Sequence, residues 1–238
     1  MKNLILIVFV FLVLNHLLAQ HEVGVSLGTS HLLGDFGGGP GNGTIFIKDV
    51  DIKSTRPSVG LFYRYNFAKF LGVRAQFLYG QLYSNDLFSE ESSRFSRGLA
   101  SQANVFDASL QLEFNFIPLQ LCSGRARFSP YVAAGIGFAS ANAAISTVNP
   151  EGIAAEEMQY IQSGNALAIN LPITAGVKYK LKNNIVFALE GSYRMAFTDK
   201  LDAYVRQEKD HFFFVSANVS YVFCKGNKYN KNKCATYI

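Results

Sequence analysis

The sequence predicts an all-β fold, an eight-stranded antiparallel up-and-down transmembrane β-barrel, from three observations. Apolar and polar residues alternate along eight segments, the connections between the segments alternate between short and long, and an apolar run begins the chain. Successive side chains of a strand point to opposite faces, so a period of two separates an apolar face from a polar face. Short turns at one rim and long loops at the other are typical of outer-membrane barrels.

The first residues, 1–19, have the layout of a secretory signal peptide. Lys2 precedes an apolar run from Leu4 to Leu14, and the small residue Ala19 ends the segment. The run is shorter than the roughly 20 residues of a membrane-spanning helix, so a retained anchor is the weaker interpretation. We therefore expect export, followed by folding of a barrel domain over residues 20–223.

The composition favours β structure in a single domain. The chain has 238 residues, 14% of them aromatic, with 20 glycines and a net charge of +5. The three cysteines, Cys122, Cys224 and Cys234, are too few and too unevenly spaced for a fold held by disulfides. A Cys224–Cys234 bridge and free thiols both remain open.

The clearest alternation runs from Val105 to Phe116, with apolar residues at even positions and polar residues at the odd interior positions. In a soluble sandwich the apolar face would point to the core, but in a membrane barrel it points to lipid and the polar face lines the lumen. The same pattern begins again in seven other segments, near Val23, Val59, Leu71, Val132, Leu167, Ile185 and Phe213.

The connections help to decide between these two folds. Long polar or glycine-rich segments cover 34–55, 84–103, 141–165 and 198–210, whereas short links cover 68–69, 118–128 and 182–184. A secreted β-sandwich does not need this alternation, but a barrel with periplasmic turns and extracellular loops does. Aromatic residues at the short-turn ends predict a girdle at the periplasmic rim: Tyr65, Phe67, Tyr179, Tyr221 and Phe223.

Charged residues on the predicted inner faces indicate an ion-pair network in the lumen. We expect Glu113 to pair with Arg74 or Arg64, because a buried unpaired carboxylate is costly. Eight strands leave an interior that side chains just fill, so we expect no conduction of solutes. The predicted lumenal residues are Arg64, Arg74, Asp107, Glu113, Lys178, Glu190 and Arg194.

The motifs of catalysis and ligand binding are not evident, and the sequence predicts neither an enzyme nor a cofactor, metal or small-molecule substrate. His31 and His211 could approach each other if the first and last strands pair, but no acid or nucleophile is placed with them. The cysteines lack CxxC spacing, and "GGGPGNG" lacks the Lys-Ser/Thr of a phosphate loop.

The basic residues cluster on one predicted rim. An eight-strand count places both chain ends on the periplasmic side, where nucleic acid is not a plausible partner. Residues 224–238 form a basic tail, which is either a solvated end or a docking segment for an acidic periplasmic protein. The predicted docking residues are Arg125, Arg127, Lys182, Lys225, Lys228, Lys231 and Lys233.

Several stretches resemble the PorG-like outer-membrane barrels that are associated with type IX protein secretion. They include "GTSHLLGDFG", "RFSRGLASQANVFDASLQLEFNF", "SPYVAAGIGF" and "LPITAGVKYKL". The most specific is "ALEGSYRMAFTDKLD", although "AYVRQEKD" then replaces the acidic and aromatic run common in the family. The resemblance implies a non-enzymatic subunit in contact with outer-membrane lipids and with the periplasmic ring of the secretion and gliding machinery.

Overall fold

The computed structural model describes residues 20–33, 52–88, 98–119, 127–147, 158–181, 184–205 and 210–223. The predicted signal peptide and the basic tail lie outside these residues. Eight strands follow one another along the chain: β1 Gln20–Leu33, β2 Arg56–Asn66, β3 Leu71–Asn85, β4 Leu99–Asn115, β5 Phe128–Thr147, β6 Gly164–Lys180, β7 Ile185–Ala196 and β8 His211–Phe223.

The strands form one closed antiparallel barrel in sequence order, which confirms the predicted fold class. Each strand pairs with the next one along the chain. The barrel closes where β8 pairs with β1, from His21 opposite Phe223 to Leu33 opposite His211. Closure leaves no unpaired sheet edge, as a spanning β-structure requires in lipid.

Large apolar side chains point outward and form a band around the barrel, which we call the apolar belt. Phe77 and Phe106 are both 63% exposed, and Leu167 is 75% exposed. A closed barrel with such a belt has the architecture of outer-membrane proteins, and the protein is an outer-membrane β-barrel. The belt comprises Val23, Val25, Leu27, Val59, Leu61, Phe77, Phe106, Leu110, Leu112, Ile136, Phe138, Leu167, Ile169, Ile173, Leu189, Val215 and Val219.

The short connections, at 67–70, 116–127 and 181–184, lie at the opposite rim from the four longer ones. We assign the rim with short connections to the periplasm, as in known outer-membrane barrels. Exposed aromatic residues concentrate at this rim. The rings of Phe114 and Phe116 pack edge to face with their centroids 5.3 Å apart, and those of Tyr221 and Phe223 do so at 5.2 Å. No helix among the described residues is long and apolar enough to cross a membrane.

Four strands extend beyond their predicted ends at the extracellular rim, among them β3, which continues to Asn85. The segments 84–103 and 141–165 were expected to be loops, but β4 begins at Leu99, β5 continues to Thr147 and β6 begins at Gly164. Small and polar residues in these segments suggested loops. They nevertheless keep a period of two, with Ala141 and Ala143 buried on the inner face and Asn142 exposed on the outer face.

Candidate functional site: a charged lumen beneath a capped mouth

The lower lumen contains a chain of four charged side chains from four strands. Arg64 on β2 donates from Nε to Glu113 Oε2 on β4 at 2.8 Å, and from Nη1 to Glu22 on β1. Lys178 on β6 donates to the other oxygen of Glu113 and, at 2.7 Å, to Asn115 Oδ1. The two contacts of Glu113 cross the lumen and connect strands that are not neighbours in the sheet, whereas Arg64 and Glu22 lie on adjacent strands.

A second group is centred on Glu190 of β7. Arg74 Nη1 lies 2.6 Å from Glu190 Oε2, and the Tyr131 hydroxyl donates to the same carboxylate oxygen. Gln76 donates to Oε1 at 3.3 Å. Arg74 also donates from Nη2 to Gln111 at 2.9 Å, so β3, β4, β5 and β7 are joined through this group.

A third pair lies closer to the extracellular side. Arg194 Nε donates to Asp107 Oδ1 at 3.1 Å, and Asn170 donates to Asp107 Oδ2 at 2.8 Å. Arg194 also donates to Gln76 at 3.3 Å, which connects this pair with the Glu190 group. We call the three groups together the charged tier: Glu22, Arg64, Arg74, Asp107, Glu113, Tyr131, Lys178, Glu190 and Arg194.

The charged tier is electrically balanced, with four carboxylates facing four basic side chains, all of them buried. Partners on several strands supply hydrogen bonds that offset the loss of hydration, without which a buried charge is strongly unfavourable. Its side chains occupy the interior of a barrel that has little room to spare at eight strands. This arrangement connects strands to one another across the lumen through buried ion pairs.

All seven charged residues predicted for the lumen lie there. Glu113 pairs with Arg64, whereas Arg74 pairs with Glu190 instead. Sequence reasoning omitted Glu22 and Tyr131. The period of two could have identified both residues. Glu22 continues the alternation of Gly24 and Ser26 on β1, and Tyr131 precedes Ala133 on the inner face of β5.

The extracellular half of the lumen contains a large apolar cluster. Leu78, Leu82 and Val105 pack there with Phe212 and Phe214, and alanines cover most of the facing wall. We call this region the apolar tier: Leu32, Leu78, Leu82, Ala103, Val105, Ala139, Ala141, Ala143, Ala168, Ala196, Phe212 and Phe214. Alanine side chains are too small to fill the centre of the lumen from the wall. The apolar tier therefore has room for an inserted segment.

The inserted segment is part of the β7–β8 connection. Residues 201–204, which we call the cap, are all buried although they belong to no strand. Segments that connect strands usually run over the protein surface, so the complete burial of the cap is unusual and must be stabilised by specific contacts. Leu201 and Ala203 join the apolar tier, and Tyr204 packs with Leu99 of β4.

Polar contacts hold the cap across the mouth. Ser101 of β4 donates to the carbonyl of Asp202 at 2.6 Å. In a ring of eight strands β4 lies opposite β8, so the cap extends from its own strands to the far wall. The backbone N–H of Gln162 donates to Ala203 O at 2.8 Å, and that of Val205 donates to Tyr160 O at 2.9 Å. The cap therefore covers the outer end of the lumen.

One feature of the cap and one of its contacts are energetically unfavourable on their own. Ala203 has a φ of 66°, a left-handed conformation that side chains other than glycine disfavour. Asp210 is buried and accepts the N–H groups of Leu201 at 2.6 Å and of Asp202 at 3.3 Å. Burial, followed by the nearby Asp202 carboxylate, raises the pKa of Asp210 well above its usual range. The surrounding contacts must offset both costs.

The periplasmic rim is described only in part. Arg127 is exposed, and its carbonyl accepts the N–H of Lys180 at 2.8 Å. Leu119 packs beneath Val186 and Val222 at this end of the lumen. The other predicted docking residues, Arg125, Lys182, Lys225, Lys228, Lys231 and Lys233, lie outside the described residues, as do the three cysteines.

His31 and His211 lie at the extracellular rim, where β1 pairs with β8. His31 is opposite Phe213, and His211 is opposite Leu33. The His211 ring is 5.5 Å from that of Tyr193, and His31 contacts the Thr29 hydroxyl at 3.2 Å. Among the described residues, no three His, Cys, Asp or Glu side chains are grouped as metal ligands.

A family profile described as "Domain of unknown function (DUF6089)" matches residues 2–227. No curated protein matches the chain.

Several solved structures are similar to the chain. The attachment invasion locus protein Ail of Yersinia pestis, in complex with a heparin analogue, is 17% identical, with 86% of this chain and 99% of that chain covered and a TM-score of 0.47. Neisserial surface protein A is 10% identical over 86% and 97% of the two chains, with a TM-score of 0.47. OprG of Pseudomonas aeruginosa is 13% identical over 86% and 95%, with a TM-score of 0.43.

Proposed function

This chain belongs to the DUF6089 family, and we propose that it is a non-enzymatic outer-membrane subunit that anchors a periplasmic ring component of the type IX secretion and gliding machinery. The proposal joins the resemblance to PorG-like barrels with the physical character of the lumen. It assigns the function to a surface of the barrel rather than to its interior.

The observation that carries the proposal is the occupied lumen. Buried ion pairs cross its lower part, and the cap covers its outer end. A solute would have to break several charge pairs and displace the cap, and each of these steps is costly. A barrel without a conducting path serves better as a fixed point in the membrane for another protein.

The periplasmic rim is the surface that we propose for docking. Arg127 is exposed there. Arg125, Lys182 and the tail lysines lie outside the described residues, and the strand order of the sequence predicts them at the same rim. A basic patch attracts an acidic partner over about one screening length, roughly 8 Å at physiological salt. Docking through this patch would therefore weaken as ionic strength rises.

Two measurements test the proposal. Purified full-length protein in a planar bilayer should show no steady single-channel current. Tagged protein from native membranes should co-purify with the ring components, and a chain that ends at Phe223 should retain less of them. Because that truncation leaves β8 complete, a heat-modifiable gel shift serves as the folding control. Steady conductance, or undiminished co-purification after both truncation and charge reversal at Arg125 and Arg127, would refute the proposal.

A second candidate is a surface-binding barrel that acts through its extracellular side. The observation in its favour is that β3, β4, β5 and β6 are longer than the other strands at that rim. Shortening the extracellular loops would abolish this function while truncation after Phe223 would not. The anchoring function predicts the opposite pattern, so the same pair of variants separates the two candidates.

A further inference from the structure

We propose that a row of four amide side chains on the outer face of β3, β4, β5 and β6 binds the sugar headgroup of the outer-leaflet glycolipid. The row consists of Gln81, Asn104, Asn142 and Asn165 and is called the amide row below. This inference concerns the membrane-facing wall and is independent of the proposed periplasmic docking.

The strand register alone places these side chains side by side. Gln81 is opposite Asn104, Asn104 is opposite Asn142, and Asn142 is opposite Asn165. All four lie on the outward face of their strands. Asn142 donates from Nδ2 to Asn165 Oδ1 at 2.6 Å, and the Tyr79 hydroxyl donates to Asn104 Oδ1 at 3.2 Å. The four amides occupy adjacent positions on four consecutive strands, so they present a strip of hydrogen-bonding groups on the outer face.

The amide row marks the upper limit of the apolar belt. The next row toward the periplasm contains Tyr79, Phe106, Ser140 and Leu167, so three of its four side chains are large and aromatic or apolar. The ring centroids of Tyr79 and Phe106 lie 4.7 Å apart. Leu167 and Phe106 are among the most exposed apolar side chains of the barrel. The row therefore begins where hydrocarbon contact ends, which is the level of the lipid headgroups.

This continuity with the lipid-facing wall identifies the occupant. A lipid whose acyl chains lie on Phe106 and Leu167 presents its own headgroup to the amides directly above them. In the outer leaflet of an outer membrane that headgroup is an acylated amino sugar. Its hydroxyl and amide groups both donate and accept hydrogen bonds, as do Asn and Gln side chains.

The charge of the row favours a neutral sugar rather than a phosphate. All four members are uncharged, and in the row above them Tyr83 and Gln102 are uncharged as well. Arg56 borders this face, with its guanidinium 4.1 Å from the centre of the Tyr83 ring. It already donates to the carbonyls of Lys53 and Thr55. Phosphate recognition usually depends on cationic groups aimed at the site, whereas sugar hydroxyls are satisfied by amides.

The test compares lipid retention by the full-length barrel and by an Asn104→Leu/Asn142→Leu/Asn165→Leu variant. Leucine has a similar size and suits a lipid-facing position, so the variant should still show the heat-modifiable gel shift of a folded barrel. Both proteins are placed in phosphatidylethanolamine vesicles with or without purified lipid A, and bound lipid A is measured by native mass spectrometry. We expect about a tenfold loss of retained lipid A, the equivalent of one or two lost hydrogen bonds.

Tyr221→Phe is the control, because Tyr221 is an exposed polar residue on the outward face of β8 at the periplasmic rim, at the opposite end of the barrel from the row. It should retain lipid A as the native protein does. Dephosphorylated lipid A should bind the native barrel nearly as well as the phosphorylated form. Equal retention by the leucine variant, or dependence on the phosphates, would overturn the proposal. So would self-association of the native barrel that the leucine variant loses, since the row would then be an interface between two copies.

Discussion

The two tiers of the lumen lie on the same eight strands but are built by opposite means. In the charged tier, Arg64, Glu113 and Lys178 hold the walls together through directional contacts across the lumen. In the apolar tier the walls are lined largely with alanine, and the cap supplies the missing volume through Leu201 and Ala203. The comparison shows that every member of the charged tier comes from a strand, whereas the apolar tier is completed by residues of a connection.

The largest difference between the tiers should follow from removing one charge. Glu113→Leu leaves Arg64 and Lys178 without their shared carboxylate, and breaking a buried pair in this way costs about 3–5 kcal/mol. We expect a marked fall in the temperature at which the barrel unfolds, as measured by the heat-modifiable shift on gels. Leu112→Ala, on the lipid-facing side of the same strand, is the control and should shift the transition far less. An unchanged transition in Glu113→Leu would mean that the charged tier does not stabilise the barrel.

The apolar tier should respond to Leu201→Ala, with a smaller and more local loss. Leu201 is fully buried, and truncating a buried leucine costs about 2–5 kcal/mol. That loss should open the cap and leave the strands paired, so amide hydrogen exchange should rise at Gln162 and Val205 but not within β4. Leu167→Ala is the matched control because Leu167 faces lipid.

The Leu201→Ala barrel should still show no conductance, since the charged tier crosses the lumen in this variant too. A steady current would show that the cap alone closes the barrel.

The same contrast explains what the sequence could and could not predict. The period of two assigned Arg64, Glu113 and Glu190 to the lumen, because alternation is a local property of each strand. The pairing of Glu113 with Arg64 rather than Arg74 depends on tilt and stagger around the barrel, which no single strand encodes. The cap was predicted only as part of a loop, 198–210. Its burial results from contacts with Ser101 and Leu99, residues about 100 positions away in the chain.

A pH dependence should affect the cap. The pKa of Asp210 is raised in the folded state, so the folded cap binds this proton more tightly than the open cap. The free energy of closing is therefore most favourable at acidic pH and falls as the pH rises from the ordinary carboxyl range through the raised pKa. Hydrogen exchange at Val205, corrected for intrinsic rates, should increase over that interval.

Asp210→Asn is the control for this pH dependence. The amide keeps an oxygen that can accept the N–H groups of Leu201 and Asp202, but it does not titrate. Protection at Val205 should then be the same at acidic and neutral pH. If the variant retained the pH dependence of the native protein, another group would have to be responsible.

The smallest effect is the sharpest test of how the cap differs from the walls around it. Ala203 and Ala168 are both buried alanines of the apolar tier, but only Ala203 has a left-handed backbone, with a φ of 66°. Ala168→Gly loses a buried methyl group, about 0.8 kcal/mol, and adds unfolded-state freedom of about 0.5–1 kcal/mol, so it should destabilise the barrel by more than 1 kcal/mol. Ala203→Gly has the same two costs but relieves a left-handed conformation that costs about 1–2 kcal/mol. The two effects should nearly cancel, leaving cap protection within about 0.5 kcal/mol of native. Equal losses in both variants, measured by hydrogen exchange and gel melting, would mean that Ala203 stores no strain.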